Sequence, residues 1–307
     1  MSPSATSAPA LYFYPDTVDI PVPAGHRFPA MKYRRLLDAV QREAILPASL
    51  MAPSPIAARD LLVRVHDEAY VDRVLDGRLA AHEVRDIGIP WSEAFVLRAR
   101  ATVGGTLAAA RAALRDGHGG QLAGGTHHAH YAHGAGFCLF NDVATTAVTL
   151  LDEGRAGRVA ILDCDVHQGD GTASLLADEP RVYTVSLHGA ANYPFAKATS
   201  NLDIALAEDT GDADYLAALA TALAAISEVR PDLLLYISGA DPLADDRLGR
   251  LALTLAGLAE RDRRVFSFCA ARDIPVAIVI GGGYAEPIDV TVAGYLGTYR
   301  ALRDVFG

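Results

Sequence analysis

The sequence predicts a single α/β domain with a mainly parallel central sheet and helices on both faces. Three observations carry that class. Short apolar, β-branched runs recur through the second half of the chain. Sequence of helical period separates them, and strands apolar on both faces between helices belong to buried parallel sheets. Finally, no internal repeat and no Pro-rich or Gly/Ser-rich linker divides the 307 residues, 51% of them hydrophobic, and α/β chains of this length commonly form one unit.

The elements follow in order. Residues 1–9 are small and polar and read as a flexible tail, leaving 10–307 as the domain. LYFYP is an opening strand, and helical pattern covers 29–45, 67–76, 91–116 and 141–153, with Met51–Pro55 an ordinary loop between the first two. RVAILDCD (158–165) and RVYTVSLH (181–188) are strands, followed by a helix over Asp212–Val229. DLLLYIS (232–238) and PVAIVI (275–280) are further strands, separated by a helix over Arg250–Ala271, and a last helix spans Pro287–Val305. Ligands of such sheets bind beyond the carboxyl ends of the strands.

Bulk properties exclude several classes. A net charge of −10 does not suit a surface that grips phosphate backbones, and it fits a basic substrate, such as a lysine side chain or polyamine, better. Cys138, Cys164 and Cys269 are far apart, odd in number and without a CxxC pair, so neither a disulfide framework nor a thiolate metal site is expected. A reducing cytoplasm is the natural compartment. The opening MSPSATSAPA reads as a tail rather than a signal peptide, and no run of roughly 18–20 apolar residues suggests a membrane span.

The residues at the strand ends carry the chemistry. In DCDVHQGDG, alternation along a strand projects Asp163, Asp165 and His167 together. Carboxylate plus imidazole suits Zn²⁺ or another borderline divalent metal, although a solvated exit rich in Asp and Gly reads the same way. Gly169 and Gly171 allow a sharp turn that returns Asp170 towards the site. Asp241 of SGADPLADD is either a third ligand or a turn aspartate, and Asp245 and Asp246 read as turn residues. GGGY (281–284) lacks both phosphate-binding fingerprints and presents Tyr284, either as a donor to an oxyanion or as a packed residue. In GGTHHAHYAHGAGFCLFND (124–142), His127 and His128 suit proton transfer, with Asp163 and Asp170 behind them. His130 and His133 read as surface residues, and His26, His66, His82 and His118 as ordinary surface or packing positions.

HHA…GFCxFND, DxDVHxGDG, GAD and GGGY, in that order, resemble the zinc-dependent histone deacetylases and their bacterial relatives with the arginase–deacetylase fold. The resemblance covers nearly the whole chain. DRLGRLALTLAGLAERDRRVF and NYPFAKA look most like class IV, and HRFPAMKYRRLL and VHDEAYVDRVL agree. It implies one catalytic Zn²⁺ on Asp165, His167 and Asp241, and His127 and His128 as the acid–base pair oriented by Asp163 and Asp170. Tyr284 becomes the carbonyl-polarising group, and Gly136, Phe137 and Tyr193 the walls of an acyl tunnel. A structural K⁺ or Na⁺ is implied beside Asp163, Asp165, His167, Ser186 and Leu187.

The expected activity is hydrolysis of the amide of an acylated amine, acyl-lysine first and an acetylpolyamine or other small acyl-amine second. A binuclear manganese hydrolase of the arginase type needs further Asp and His ligands that GAD does not offer. A nucleotide-dependent oxidoreductase lacks its fingerprint, and the intact acid–base set argues against a scaffold. The composition, with only two lysines and no nuclear localisation run, looks bacterial. Neither a nucleic acid nor a membrane is an expected partner.

Overall fold

The computed structural model describes residues 9–307. The tail expected over 1–9 lies, but for Pro9, outside them. In chain order the strands are β1 (Tyr12–Tyr14), β2 (Met51–Pro53), β3 (His118–Gln121), β4 (Val159–Asp163), β5 (Val182–Gly189), β6 (Leu202–Leu206), β7 (Leu233–Ser238) and β8 (Val276–Ile280). The longer helices are α1 (Lys32–Arg42), α3 (Glu68–Leu75), α5 (Glu93–Asp116), α6 (Asp142–Asp152), α8 (Asp212–Val229), α9 (Leu255–Ala270) and α10 (Asp289–Phe306). Short helices α2 (Arg59–Leu62), α4 (Ala81–Ile87) and α7 (Asp170–Leu175) intervene.

The eight strands form one sheet in the order β2-β1-β3-β8-β7-β4-β5-β6, and every pairing is parallel. Alternation divides the central strands between two cores. Ile161, Leu235 and Ala277 pack with residues of α5 and α6, whereas Leu162, Leu234, Tyr236 and Ile278 pack with residues of α1, α8, α9 and α10. Burial on both faces is why these strands read as unbroken apolar runs.

Three strands escaped the sequence pattern. Met51–Pro53, expected as loop, is a three-residue edge strand paired with β1. β3 is HGGQ, whose glycines are required by the approach of α5: a side chain on Gly119 would strike the backbone of Ala109. β6, LDIAL, is the opposite edge. The helix expected from Arg250 begins at Leu255, because Thr254 caps it by accepting from the Gly257 N–H at 3.0 Å. Leu253 is held in extended backbone against Leu243.

Candidate active site

The ends of β4, β7 and β8 open onto one rim, and the His-rich loop before α6 folds over it. Past β4, Asp163 Oδ1 accepts from the Asp165 N–H at 3.0 Å, and Asp165 Oδ1 from the His167 N–H at 2.9 Å. These carboxylates shape the backbone that carries them. Asp241 Oδ1 accepts from the Val166 N–H at 2.9 Å, while its Oδ2 lies 3.1 Å from His167 Nδ1. Asp165 Oδ1 is 3.0 Å from that nitrogen. Ligand-type atoms of Asp165, His167 and Asp241 all lie within 4.8 Å of one another, and the three residues are buried. The second Asp165 oxygen accepts from the Gly282 N–H, and a side chain at 282 would collide with Asp241. The glycine run is therefore a close backbone approach.

This donor set fits a divalent metal. Two buried carboxylates converge on one imidazole. Burial and the Asp165 charge push Asp241 up to about 7. Against the pull of burial, both carboxylates raise His167 to about 10. Two oxygens and one nitrogen, steadied by backbone N–H groups, suit Zn²⁺ or a similar ion, whose charge would relieve the repulsion.

Behind these loops lies a charged pair that does not line the active-site cavity. Arg261 and Asp262 of α9 are fully buried. The Arg261 guanidinium donates to the carbonyls of Gly239 (2.7 Å) and Cys164 (3.3 Å), to Ser238 Oγ (2.7 Å) and to Asp262 Oδ1 (2.8 Å). Asp262 also accepts from the hydroxyls of Tyr236 (2.5 Å) and Thr298 (2.6 Å). Cys164 and Gly239 precede Asp165 and Asp241 by one and two residues, so one side chain braces both loops.

His127 and His128 line the cavity beside Asp165 and His167. His127 Nδ1–H donates to Asp163 and His128 Nδ1–H to Asp170, each at 2.6 Å, leaving Nε2 of each ring for the cavity. Their proton affinities diverge. Although burial opposes it, Asp163 and Asp165 raise His127 to about 9, whereas burial and the neighbouring His127 hold His128 near 4. Gly136 (φ +52°) and Phe137 (φ +71°) both adopt left-handed backbone. A side chain at 136 would strike the His128 ring. Phe137 and Tyr193 line the same cavity, of about 400 Å³, and Tyr193 meets His128 edge-on at 4.9 Å between centroids.

Tyr284 also lines the cavity, its ring edge-on to His167 at 6.3 Å. Burial, with Asp165 adding to it, raises its pKa well above the usual phenol value, so the hydroxyl remains a donor. Asp246, expected as a turn residue, does accept from Leu248 and Gly249, but its other oxygen takes the Tyr284 N–H at 2.6 Å. Buried Lys32 donates to the carbonyls of Gly281 (3.3 Å) and Gly283 (3.4 Å), with its ammonium 5.1 Å from the Tyr284 ring centroid.

Of the two histidines expected on the surface, His133 is exposed. His130 is not: its side chain is 19% exposed and its Nε2 lies 3.2 Å from the second Asp170 oxygen. Asp170 thus serves His128 and His130 together. His66 is a buried packing residue, with Nδ1–H donating to the His130 carbonyl at 2.8 Å and Nε2 accepting from the Asn141 N–H at 2.9 Å. Asp163 pairs in register with Ser186 across β4 and β5, with Leu187 next along the strand.

Residues 26–295 match the histone deacetylase domain. A protein of Picosynechococcus, itself described as uncharacterized, is 42% identical over 295 residues, spanning 96% of this chain and 98% of its own. Histone deacetylase 2 of Arabidopsis thaliana is 30% identical over 272 residues, 85% of this chain and 70% of its own. The acetoin utilization protein AcuC of Bacillus subtilis is 29% identical over 256 residues, 75% and 65% of the two chains. The fold matches the HDA15 HD domain with a TM-score of 0.81 at 23% identity, covering 98% of this chain and 89% of that one.

Proposed function

The chain belongs to the histone deacetylase family, and from that premise we propose that residues 10–307 form one catalytic domain of a zinc-dependent deacylase that hydrolyses the amide of an acylated amine. The observation that carries this reading is the convergence, at one end of a cavity, of a buried Asp–His–Asp set, two carboxylate-backed histidines and a neutral tyrosine.

In this reading Asp165, His167 and Asp241 hold the metal. When bound, it supplies Lewis-acid polarisation of the acyl carbonyl and lowers the pKa of water from ~15.7 towards ~7. His128, held neutral, accepts the proton of the attacking water at Nε2, with Asp170 fixing its tautomer. His127, raised by Asp163, supplies the positive charge and the proton that the leaving amine needs. The Tyr284 hydroxyl donates to the oxygen on which negative charge develops. Phe137 and Tyr193 flank the acyl-amine as it enters, and Gly136 leaves room for the His128 ring. A K⁺ or Na⁺ beside Asp163, Asp165, His167, Ser186 and Leu187 would steady the β4–β5 end of the site.

The substrate is an acyl-lysine in a peptide or protein, with a small acyl-amine as the second reading. Three buried, unpaired cysteines fit a reducing compartment, and no helix of the described residues is long and apolar enough to cross a membrane; we assign the chain to the cytoplasm. A panel of acyl-lysine peptides of increasing chain length, run beside acetylpolyamines on one zinc-loaded preparation, tests the proposal. Turnover that a chelator abolishes and Zn²⁺ restores is the expected result. Turnover indifferent to chelation sinks the metal mechanism.

A further inference from the structure

The mouth of the cavity has the opposite sign to the chain as a whole. Arg27, Arg85 and Arg250 line it, and the lining carboxylates are only Asp165, at the floor, and Asp86. Arg250 is neutralised by Glu208. Arg27 and Arg85 take part in no ion pair among the described residues, whereas the neighbouring Arg73 and Arg78 are paired with Glu83 and Asp76.

Both free arginines are fixed beside the tunnel wall. The Arg27 guanidinium lies 5.5 Å from the Phe137 ring centroid, and the adjacent His26 ring is bonded to the Gly88 carbonyl at 2.9 Å. Arg85 stands at the end of α4, whose Asp86 and Ile87 carbonyls accept from the Gly136 and Phe137 N–H groups at 3.2 and 2.7 Å. A further exposed cation, Lys197, stands on the facing loop outside the cavity lining. Lys197 follows Tyr193 and Phe195, which line the mouth, and Phe195 is 85% exposed. The Lys197 ammonium donates only to the carbonyls of Asn192 and Pro194. Two cations without a carboxylate partner thus line the entrance against the single charge of Asp86, in a chain whose net charge is −10.

We propose that the preferred substrate is an acylated amine carrying a carboxylate close to the scissile amide, drawn to Arg27 and Arg85. This rests on the deacylase reading of the cavity. It reverses the expectation from whole-chain charge, because the local field at a cleft, and not the net charge, steers what enters it. An acetylpolyamine or a lysine-rich tail brings positive charge to a positive entrance. The carboxylate has two sources: acidic residues flanking an acyl-lysine, or the free α-carboxylate of an N-acylated amino acid.

The experiment uses acetyl-lysine peptides flanked by Glu, Ala or Lys, free Nε-acetyl-lysine with its C-terminal amide, and N-acetylputrescine. Two quantities are read: kcat/KM on the zinc-loaded enzyme, and the affinity of labelled peptides for zinc-loaded Tyr284→Phe. Glu-flanked peptide should exceed Lys-flanked peptide by about tenfold, the sum of a few exposed pairs, and the gap should shrink between about 50 and about 500 mM salt. The double variant Arg27→Glu/Arg85→Glu should invert the order. A preference of free Nε-acetyl-lysine over its amide identifies the small carboxylate, and a preference confined to flanked peptides the polypeptide. Equal values across the three flanks, or a Lys preference in the unaltered protein, overturn the proposal. A charge-ordered affinity without turnover supports the rim and refutes deacylation; turnover without charge order does the reverse.

Discussion

The floor of the cavity and its rim handle charge by opposite means. At the floor, Asp163, Asp165, Asp170, Asp241 and both tandem histidines are buried, and each has a named hydrogen-bonding partner. A buried charge is tolerable only when paired and hydrogen-bonded, so every floor group constrains its neighbours. At the rim, Arg27 and Arg85 are exposed and take part in no ion pair among the described residues. There a charge costs little to place and little to change. The floor should be intolerant of single-atom changes, and the rim free to set which substrate enters.

The largest effect expected is at the floor. Tyr284→Phe removes one hydroxyl while Asp246 still holds the residue by its backbone N–H. Loss of such an oxyanion donor typically lowers kcat about 10²–10³-fold. Zinc content measured on the same preparation should be unchanged. Near wild-type turnover would remove Tyr284 from the mechanism and blur the division between floor and rim.

A second prediction follows from His66, beneath the histidine loop. Its Nε2 accepts from the Asn141 N–H, so a second ring proton would face a donor, and burial holds its pKa near 4. The folded value lies below the unfolded value of about 6.5. The stability this neutral ring contributes is therefore complete above about 6.5 and is lost as pH falls through that value towards 4. The loss reaches about 3 kcal/mol, because each pH unit separating the folded and unfolded values is worth ~1.36 kcal/mol. His66→Gln keeps a donor and an acceptor without titrating. Chemical denaturation at several pH values should show a shallower acid limb for the variant; identical slopes would mean that the loop opens easily to admit the proton.

What could be read from the sequence divides along the same line. Asp165 and His167 were visible because period-2 spacing at a strand end forces them to one side, and Tyr284 because a glycine run must be approaching something. Asp163 and Asp170 were offered as partners of the tandem histidines, but other distant partners were not visible. Nothing in ERDRR of α9 tells its charges apart, yet Glu260, Arg263 and Arg264 pair on the surface while Arg261 and Asp262 turn fully inward. His130 looked like a loop residue because nothing local announces that Asp170, forty residues on, has a second oxygen to offer. β3 was missed because its glycines answer a crossing helix. The sign of the rim was not legible in the net charge, which averages over the whole surface.

The smallest of these effects tests whether the floor's intolerance extends beyond the cavity. Arg261→Met alone would leave the Asp262 carboxylate buried and unpaired, a loss of about 3–5 kcal/mol that unfolding could mask. Arg261→Gln/Asp262→Asn removes both charges; the amide oxygen still accepts from Tyr236, and the amide N–H group faces Thr298 Oγ1, which can accept while donating to the Gly294 carbonyl. The large cost of breaking a buried pair comes from the charge left unpaired; with both charges removed, this variant should fold. It lacks the guanidinium that spans the Cys164 and Gly239 carbonyls. Residues that orient metal ligands typically contribute about 10–100-fold in metal affinity. Chelator competition should therefore show Zn²⁺ held about 10–100-fold more weakly, with kcat at saturating Zn²⁺ reduced far less. A folded double variant with unaltered Zn²⁺ affinity would confine the brace to packing, and the floor would then end at the residues that touch the cavity.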